Sequence, residues 1–315
     1  MEAESKAEPV KFVVQDLIPE RTVNIAVGDS GLGKTAWAYQ MGLAVAAGVP
    51  FVGYETKQGR VLYLDMENGR DQVIELGRRL CAHLSLPAEP DDNFMIVPPE
   101  CSPSNMEQIV KEYAPSLVIV DTLRACWPSV EGKNEDSAKL LQALRVLARK
   151  YGVSFLLLHH PRKPSERVFG GPPSIEHTPI MEWLLVASGA RALVNQSDVR
   201  IGLEGSKKAG DDVALIFKGF MKLRGEFGPV YLERARDKDG EVTGYVRVSA
   251  VKHLADAHQI DTYAALPDEF QFKAAALAYG RAPDPTNKFL LKCIGLGLLR
   301  KIAHGRYQKA PDLAT

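Results

Sequence analysis

Gly28-Asp29-Ser30-Gly31-Leu32-Gly33-Lys34-Thr35 occupies every fixed position of the pattern G-x-x-x-x-G-K-[ST]. An apolar run, Val23 to Val27 with Asn24 its one polar member, precedes it, and a helical pattern from Ala36 to Ala47 follows. Strand, glycine-rich turn and helix are the setting a phosphate loop needs. The glycines let the backbone turn tightly and aim successive N–H groups at one phosphate, Lys34 adds a point charge, and the Thr35 hydroxyl can ligate Mg²⁺. A turn that merely joined a strand to a helix would not need Lys-Thr after its last glycine. Gly28, Asp29, Ser30, Gly31, Leu32, Gly33, Lys34, Thr35 and Ala36 are therefore the expected nucleotide-binding residues.

The first two-thirds of the chain alternates between two kinds of segment. Thr22–Val27, Arg60–Leu64, Leu117–Asp121 and Ser154–Leu158 are short and rich in Val, Ile and Leu, as strands buried on both faces should be. Lys34–Ala47, Asp71–Leu84, Asn105–Tyr113 and Ser137–Tyr151 space their apolar residues three and four apart, as helices do. The alternation predicts an α/β fold with a central, mostly parallel sheet covered by helices. Val199–Leu203, Val213–Phe217, Val230–Glu233 and Glu241–Val251, separated by turn signals, read as antiparallel strands extending that sheet.

With 315 residues there is material for one large domain and a small one. Lys+Arg and Asp+Glu balance at 39 each, so any polyanion-binding surface has to be local. The four cysteines are scattered without zinc-like spacing, as reduced thiols of a cytoplasmic protein would be. The start of the chain is charged, unlike a signal peptide, and no apolar run is long enough to span a bilayer.

Hydrolysis needs a metal-holding acid and a group that orients the attacking water. Asp121 ends the apolar run Leu117-Val118-Ile119-Val120, at the sheet edge where ligands of parallel sheets bind, and is the expected metal residue together with Thr35. Glu67 follows the run Val61–Leu64. If that strand neighbours the phosphate-loop strand, Glu67 stands where it can activate water, while Asp65, closer to the strand, suits a structural role. His159 and His160 end a third strand; adjacent strand residues point oppositely, so they cannot share a zinc ion, and His160 is the expected γ-phosphate sensor.

The ordered set of phosphate loop, Leu64-Asp65-Met66-Glu67-Asn68, Val118–Arg124, Asn134-Glu135-Asp136 and Leu157–Lys163 resembles the RepA-type branch of RecA-like hexameric ATPases, which is similar to the DnaB replicative helicases. Ser188-Gly189-Ala190 with Gln196–Val199 agrees. Lys222-Leu223-Arg224-Gly225 resembles the family's Lys-x-Arg-x-Gly hairpin, although here glycine follows arginine directly. The likeness runs from about Val10 to Val251. It implies a RecA-like P-loop NTPase core over residues 1–251, ATP and Mg²⁺ as cofactors, and a ring-shaped homo-oligomer, a hexamer, acting on DNA. It further implies Glu67 as the water-activating acid, His160 as sensor, Arg224 as an arginine finger acting in trans and Lys222 as its companion. Lys34 joins them in catalysis, and Arg191 and Arg200 are competing fingers.

Two regions point to DNA. The loop Pro161–Pro173 carries Arg162, Lys163, Arg167 and Phe169, a mixture of cations and an aromatic that suits single strands; in the resembled family this loop lines the central channel. Residues 252–267 read as a polar linker. Residues 268–315 read as a small, basic winged helix-turn-helix domain: a helix over Glu269–Tyr279, a second from Pro285 to about Leu296 bearing Lys288 and Lys292, and a hairpin bearing Arg306. The expected function is that of an ATP-dependent DNA helicase or translocase in replication of a plasmid, phage or similar element. The alternative is an ATP-switched regulator, loader or recombination mediator that does not unwind.

Overall fold

A computed structural model describes residues 9–87, 92–97, 105–131, 134–161, 173–187, 191–205, 213–254 and 256–310. A short hairpin, β1 (Phe12–Val14) and β2 (Ile18–Pro19), precedes the phosphate-loop strand β3 (Val23–Gly28) and its helix α1 (Lys34–Ala47). Then come β4 (Val61–Asp65), α2 (Arg70–His83), β5 (Phe94–Val97), α3 (Met106–Tyr113), β6 (Leu117–Asp121), α4 (Leu123–Cys126), α5 (Asn134–Tyr151) and β7 (Ser154–His159). Helices α6 (Ile180–Ala187) and α7 (Arg191–Gln196) lead into β8 (Val199–Glu204), β9 (Val213–Met221), β10 (Gly225–Arg236) and β11 (Val242–Val248).

These nine longer strands form one sheet in the order β11-β10-β9-β8-β3-β7-β6-β4-β5. From β5 to β8 every pairing is parallel; β9, β10 and β11 extend the sheet antiparallel. Val199–Leu203, expected among the antiparallel strands, pairs antiparallel with β9 on one side and parallel with β3 on the other, because helices α6 and α7 make the crossover that a parallel neighbour requires.

Side-chain alternation divides the central strands between two cores. Val118, Val120, Phe155 and Leu157 point to the α5 side, while Leu117, Ile119, Leu156 and Leu158 point to the α1 side. Both sets are fully buried, which is why these strands read as unbroken apolar runs. The same parity sends Asp121 and Asp65 toward α1, the face that carries the phosphate loop.

Two expectations about the chain's second part need correction. Residues 252–267 are not a bare linker, since helix α8 (Ala257–Ala265) forms there, capped by Asp256 accepting from the Gln259 N–H. Its Thr262 and Tyr263 are buried, and two adjacent buried residues, one of them polar, give too little apolar period in so short a helix to stand out in sequence. Glu269–Gln271, expected to begin a helix, forms strand β12, because it pairs with Arg306–Gln308 before α9 (Phe272–Tyr279) begins. Helix α10 (Pro283–Gly295) and the hairpin β13 (Leu299–Ala303) and β14 (Arg306–Lys309) complete a three-stranded sheet, β12-β14-β13. This part packs on the large sheet: a Cβ built on Gly297 would lie 3.3 Å from Pro229 Cδ, and Leu296 and Leu298 join the α5-side core. Among the described residues no helix is long and apolar enough to cross a membrane.

Candidate active site

Gly28 closes β3 where the backbone of β8 runs alongside; a Cβ there would lie 2.8 Å from the Leu203 carbonyl oxygen. Gly33, at φ +88, is left-handed directly before α1, and a Cβ on it would lie in the Tyr245 hydroxyl. Glycine is therefore needed at both ends of the loop for separate reasons, close approach and backbone sign.

Lys34 is 5% exposed. Its ammonium donates to the Asp29 carbonyl at 2.6 Å and stands 3.2 Å from His160 Nδ1, which also meets Ser30 Oγ at 3.2 Å. Burial pulls the Lys34 ammonium below its ordinary value, opposed by the carboxylates of Asp121, Glu67 and Asp29. The expected split of the histidine pair holds in the geometry. His160 turns to the phosphate loop, while His159 is buried, its imidazole pushed down to about 4 chiefly by burial and then by His160, Lys34 and Arg124. Among the described residues no group of three metal-binding side chains exists.

Asp121 is 1% exposed and accepts hydrogen bonds from Tyr63 (2.8 Å) and Thr35. Burial pushes its carboxyl up to about 6; the two hydrogen bonds oppose this, and Asp65 and Glu67 add to it. Thr35 and Asp121 together offer a hydroxyl and a carboxylate, hard oxygen donors that fit Mg²⁺ completed by phosphate oxygens and water. The raised pKa is that of a buried acid with two carboxylates, Asp65 and Glu67, near it.

Its consequence can be tested without metal. The native carboxyl holds its proton between about pH 4 and 6 while the unfolded one has lost it. Stability of the nucleotide-free protein therefore falls as pH rises through that window, and the cost is fully present above about pH 6. Asp121→Asn is expected to remove it, raising stability at pH 7 by roughly 1–3 kcal/mol, a few degrees in Tm. Thermal unfolding with chelator between pH 4 and 7.5 checks this: the gap between variant and wild type should close toward pH 4. A constant gap refutes the assignment.

Glu67 reaches the site by a route other than the expected one. β4 does not neighbour β3; β6 and β7 lie between them. The carboxylate nonetheless arrives, because the loop after β4 leans back across β6. Thr122 donates to Glu67 Oε1 at 2.7 Å, and His160 Nε2 stands 3.6 Å from the same oxygen. Asp65 holds this loop, accepting from the N–H groups of Glu67 (3.2 Å) and Asn68 (3.0 Å) and from the Asn68 amide, the structural part expected of it. Sequence reading gives Thr122 no role; its position directly after a strand-ending acid is the signal available.

The cations of the β9–β10 turn lie elsewhere. Val199 pairs with Asn24 on one side and Met221 on the other, so Lys222 and Arg224 sit beyond the amino end of β3, opposite its phosphate loop. Four residues of strand, roughly 13 Å, separate Asn24 from Gly28 alone. Lys222 donates to the Gln196 carbonyl (2.9 Å) and meets Asp198 at 3.4 Å; Arg224 pairs with Asp16 and lies over the Phe12 ring at 4.7 Å. Neither can reach the nucleotide site of its own chain. Arg200, a competing finger, is 5% exposed, donates to the Asn195 carbonyl at 2.6 Å and lies over Phe220, so it is part of the packing and not free to act as a finger. The Arg191 side chain lies outside the described residues, as do Arg162, Lys163, Arg167 and Phe169 and the Ser188-Gly189-Ala190 segment. Lys288 is exposed on α10 and paired loosely with Asp284 at 3.9 Å, Lys292 is half-buried on the same helix, and exposed Arg306 on β14 meets Glu269 at 3.6 Å.

A phosphate loop at the carboxyl edge of a largely parallel sheet, faced by a buried acid, a second carboxylate and a histidine, is the arrangement of a P-loop ATPase. Residues 2–166 match the AAA domain family (AAA_25), and the chain belongs to it. Among solved structures, that of a KaiC-like protein from the hyperthermophilic archaeon Pyrococcus horikoshii is similar over 76% of this chain and 100% of its own, at 16% identity and a TM-score of 0.48. No curated protein matches the chain.

Proposed function

We propose that the chain is an ATP-driven motor of the RepA type, a helicase or translocase working on DNA as a ring, with each site completed by the next subunit. The observation that carries this reading is the placement of the chemistry on two opposite edges of one sheet. Lys34, Thr35, Asp121, Glu67 and His160 gather at the carboxyl edge; Lys222 and Arg224 stand at the amino edge, out of reach of their own nucleotide. Cations so placed serve hydrolysis only from a neighbour.

In this reading Lys34 and the loop N–H groups hold the β- and γ-phosphates, and Glu67, held by Thr122, takes the proton of the attacking water. His160, between Ser30, Lys34 and Glu67, senses whether the γ-phosphate is present. Mg²⁺ bound by Thr35 and Asp121 would supply charge neutralisation on the phosphate oxygens. The loop carrying Arg162, Lys163, Arg167 and Phe169 would meet single-stranded DNA. The C-terminal part, read as a winged helix, would offer Lys288, Lys292 and Arg306 to a duplex.

The second reading is an ATP-switched DNA regulator or loader. It is favoured by the packing of the C-terminal part on the ATPase sheet, where Tyr231 stacks on His253 at 4.3 Å and donates to Glu176 at 3.0 Å, just past the loop that follows His160. A strand-displacement assay separates the two. ATP-dependent displacement by wild type that the Glu67→Gln variant lacks supports the motor. ATP-dependent DNA binding without displacement, together with particles that are not rings, sinks it in favour of the switch.

A further inference from the structure

The chemistry just described uses one flank of the phosphate loop. His160, Asp121, Thr122 and Glu67 all stand on the β7–β6–β4 side of β3; in the proposed reading that is the γ-phosphate side, which leaves the β8–β11 side for the rest of the nucleotide. On that flank the sheet curls until β11 lies against α1. Tyr245 of β11 is 4% exposed, with its hydroxyl 3.4 Å from the Gly33 carbonyl oxygen. It is clamped there: its N–H donates to Gln40 Oε1 at 2.8 Å, and its carbonyl accepts from Gln40 Nε2 at 2.9 Å, Gln40 being a buried residue of α1. His83 Nε2 lies 3.2 Å from the same carbonyl.

Directly across the β10–β11 pair from Tyr245 is Arg234, exposed, with its guanidinium hydrogen-bonded to the Tyr245 hydroxyl. A cation is thus presented beside the amino end of α1, where the helix dipole and unpaired N–H groups already concentrate positive potential. No acidic residue in the first turn of α1 balances it. Placed there, a guanidinium is favourable when an anion sits between it and the helix.

We infer that Arg234 is a nucleotide-binding residue supplied in cis, contacting the α-phosphate end of the nucleotide, and that Tyr245 is its positioning residue. The inference rests on the ATPase reading and deepens it: the trans cation would act on the γ-phosphoryl group during hydrolysis, whereas Arg234 holds the part that ATP and ADP share. Its removal should weaken the two nucleotides equally and spare the chemical step.

Calorimetric titration of the full-length protein with Mg-ADP, and steady-state ATP hydrolysis, test this. Arg234→Ala is expected to raise the Kd for ADP and the KM for ATP about tenfold, with kcat at saturating ATP within about twofold of wild type. Arg234→Lys should recover part of the affinity, and Tyr245→Phe, which keeps the packed ring and loses the hydroxyl, should shift both constants the same way by less. Unchanged ADP affinity in Arg234→Ala, with wild type binding normally, overturns the inference alone. So does a fall in kcat at unchanged KM, which would put Arg234 on the γ-phosphate. A wild-type protein that binds no ADP overturns the ATPase reading itself, and the inference with it.

Discussion

Glu67→Gln is expected to lower kcat for ATP hydrolysis about 10²–10⁴-fold, the range lost when a positioned general base is removed. Nucleotide affinity should change little, because the hydrogen-bond and ion-pair partners of the Glu67 carboxylate among the described residues are Thr122 and His160, and it acts on Lys34 of the phosphate loop only through its charge. The glutamine can still accept from Thr122, so the loop after β4, held separately by Asp65, should keep its shape. Single-turnover hydrolysis alongside ADP titration reads both quantities. Near-normal turnover in the variant would transfer the base's role elsewhere, and a matching loss of affinity would make Glu67 a binding residue instead.

Arg224→Ala carries an effect of comparable or larger size, about 10³–10⁵-fold in kcat, if its guanidinium enters the neighbouring site in the transition state. The decisive measurement mixes two dead proteins. Lys34→Ala lacks a working phosphate loop but keeps its finger; Arg224→Ala lacks the finger but keeps its loop. Because the two parts lie on opposite edges of the sheet, co-assembly should recreate some complete sites and restore a fraction of wild-type turnover. Recovery should vanish on dilution below the assembly concentration. Absence of any recovery in mixed assemblies, or full activity of Arg224→Ala alone, would remove Arg224 from the mechanism and leave its pairing with Asp16 and Phe12 as a local contact.

Arg224 also shows how sequence and fold divide the information. Its position in a Lys-x-Arg-like hairpin is legible along the chain; that the hairpin points away from its own phosphate loop follows only from the register of β9 on β8 and β8 on β3. Glu67 is similar. The acid past a buried strand is readable, but adjacency to β3, the condition set for its role, does not hold, and the carboxylate is held by Thr122 with two strands between β4 and β3. The hairpin β1–β2 and strand β5 are too short to announce themselves, and α8 shows only two buried anchors.

By itself the amino-acid order determined what is local: a glycine-rich turn that must wrap a phosphate, strands apolar on both faces that must lie inside a parallel sheet, and a carboxylate closing one of them. Those follow from backbone sterics and from burial of neighbouring residues, which act over a few positions. Tertiary structure alone decided which strands adjoin, that His160 faces Lys34 while His159 faces the other core, and that Tyr245, some two hundred residues further on, comes to rest on Gly33 with Arg234 beside it. The physical reason is that strand order, register and sheet curl are set by packing whole faces against helices, and no short stretch of sequence carries that sum.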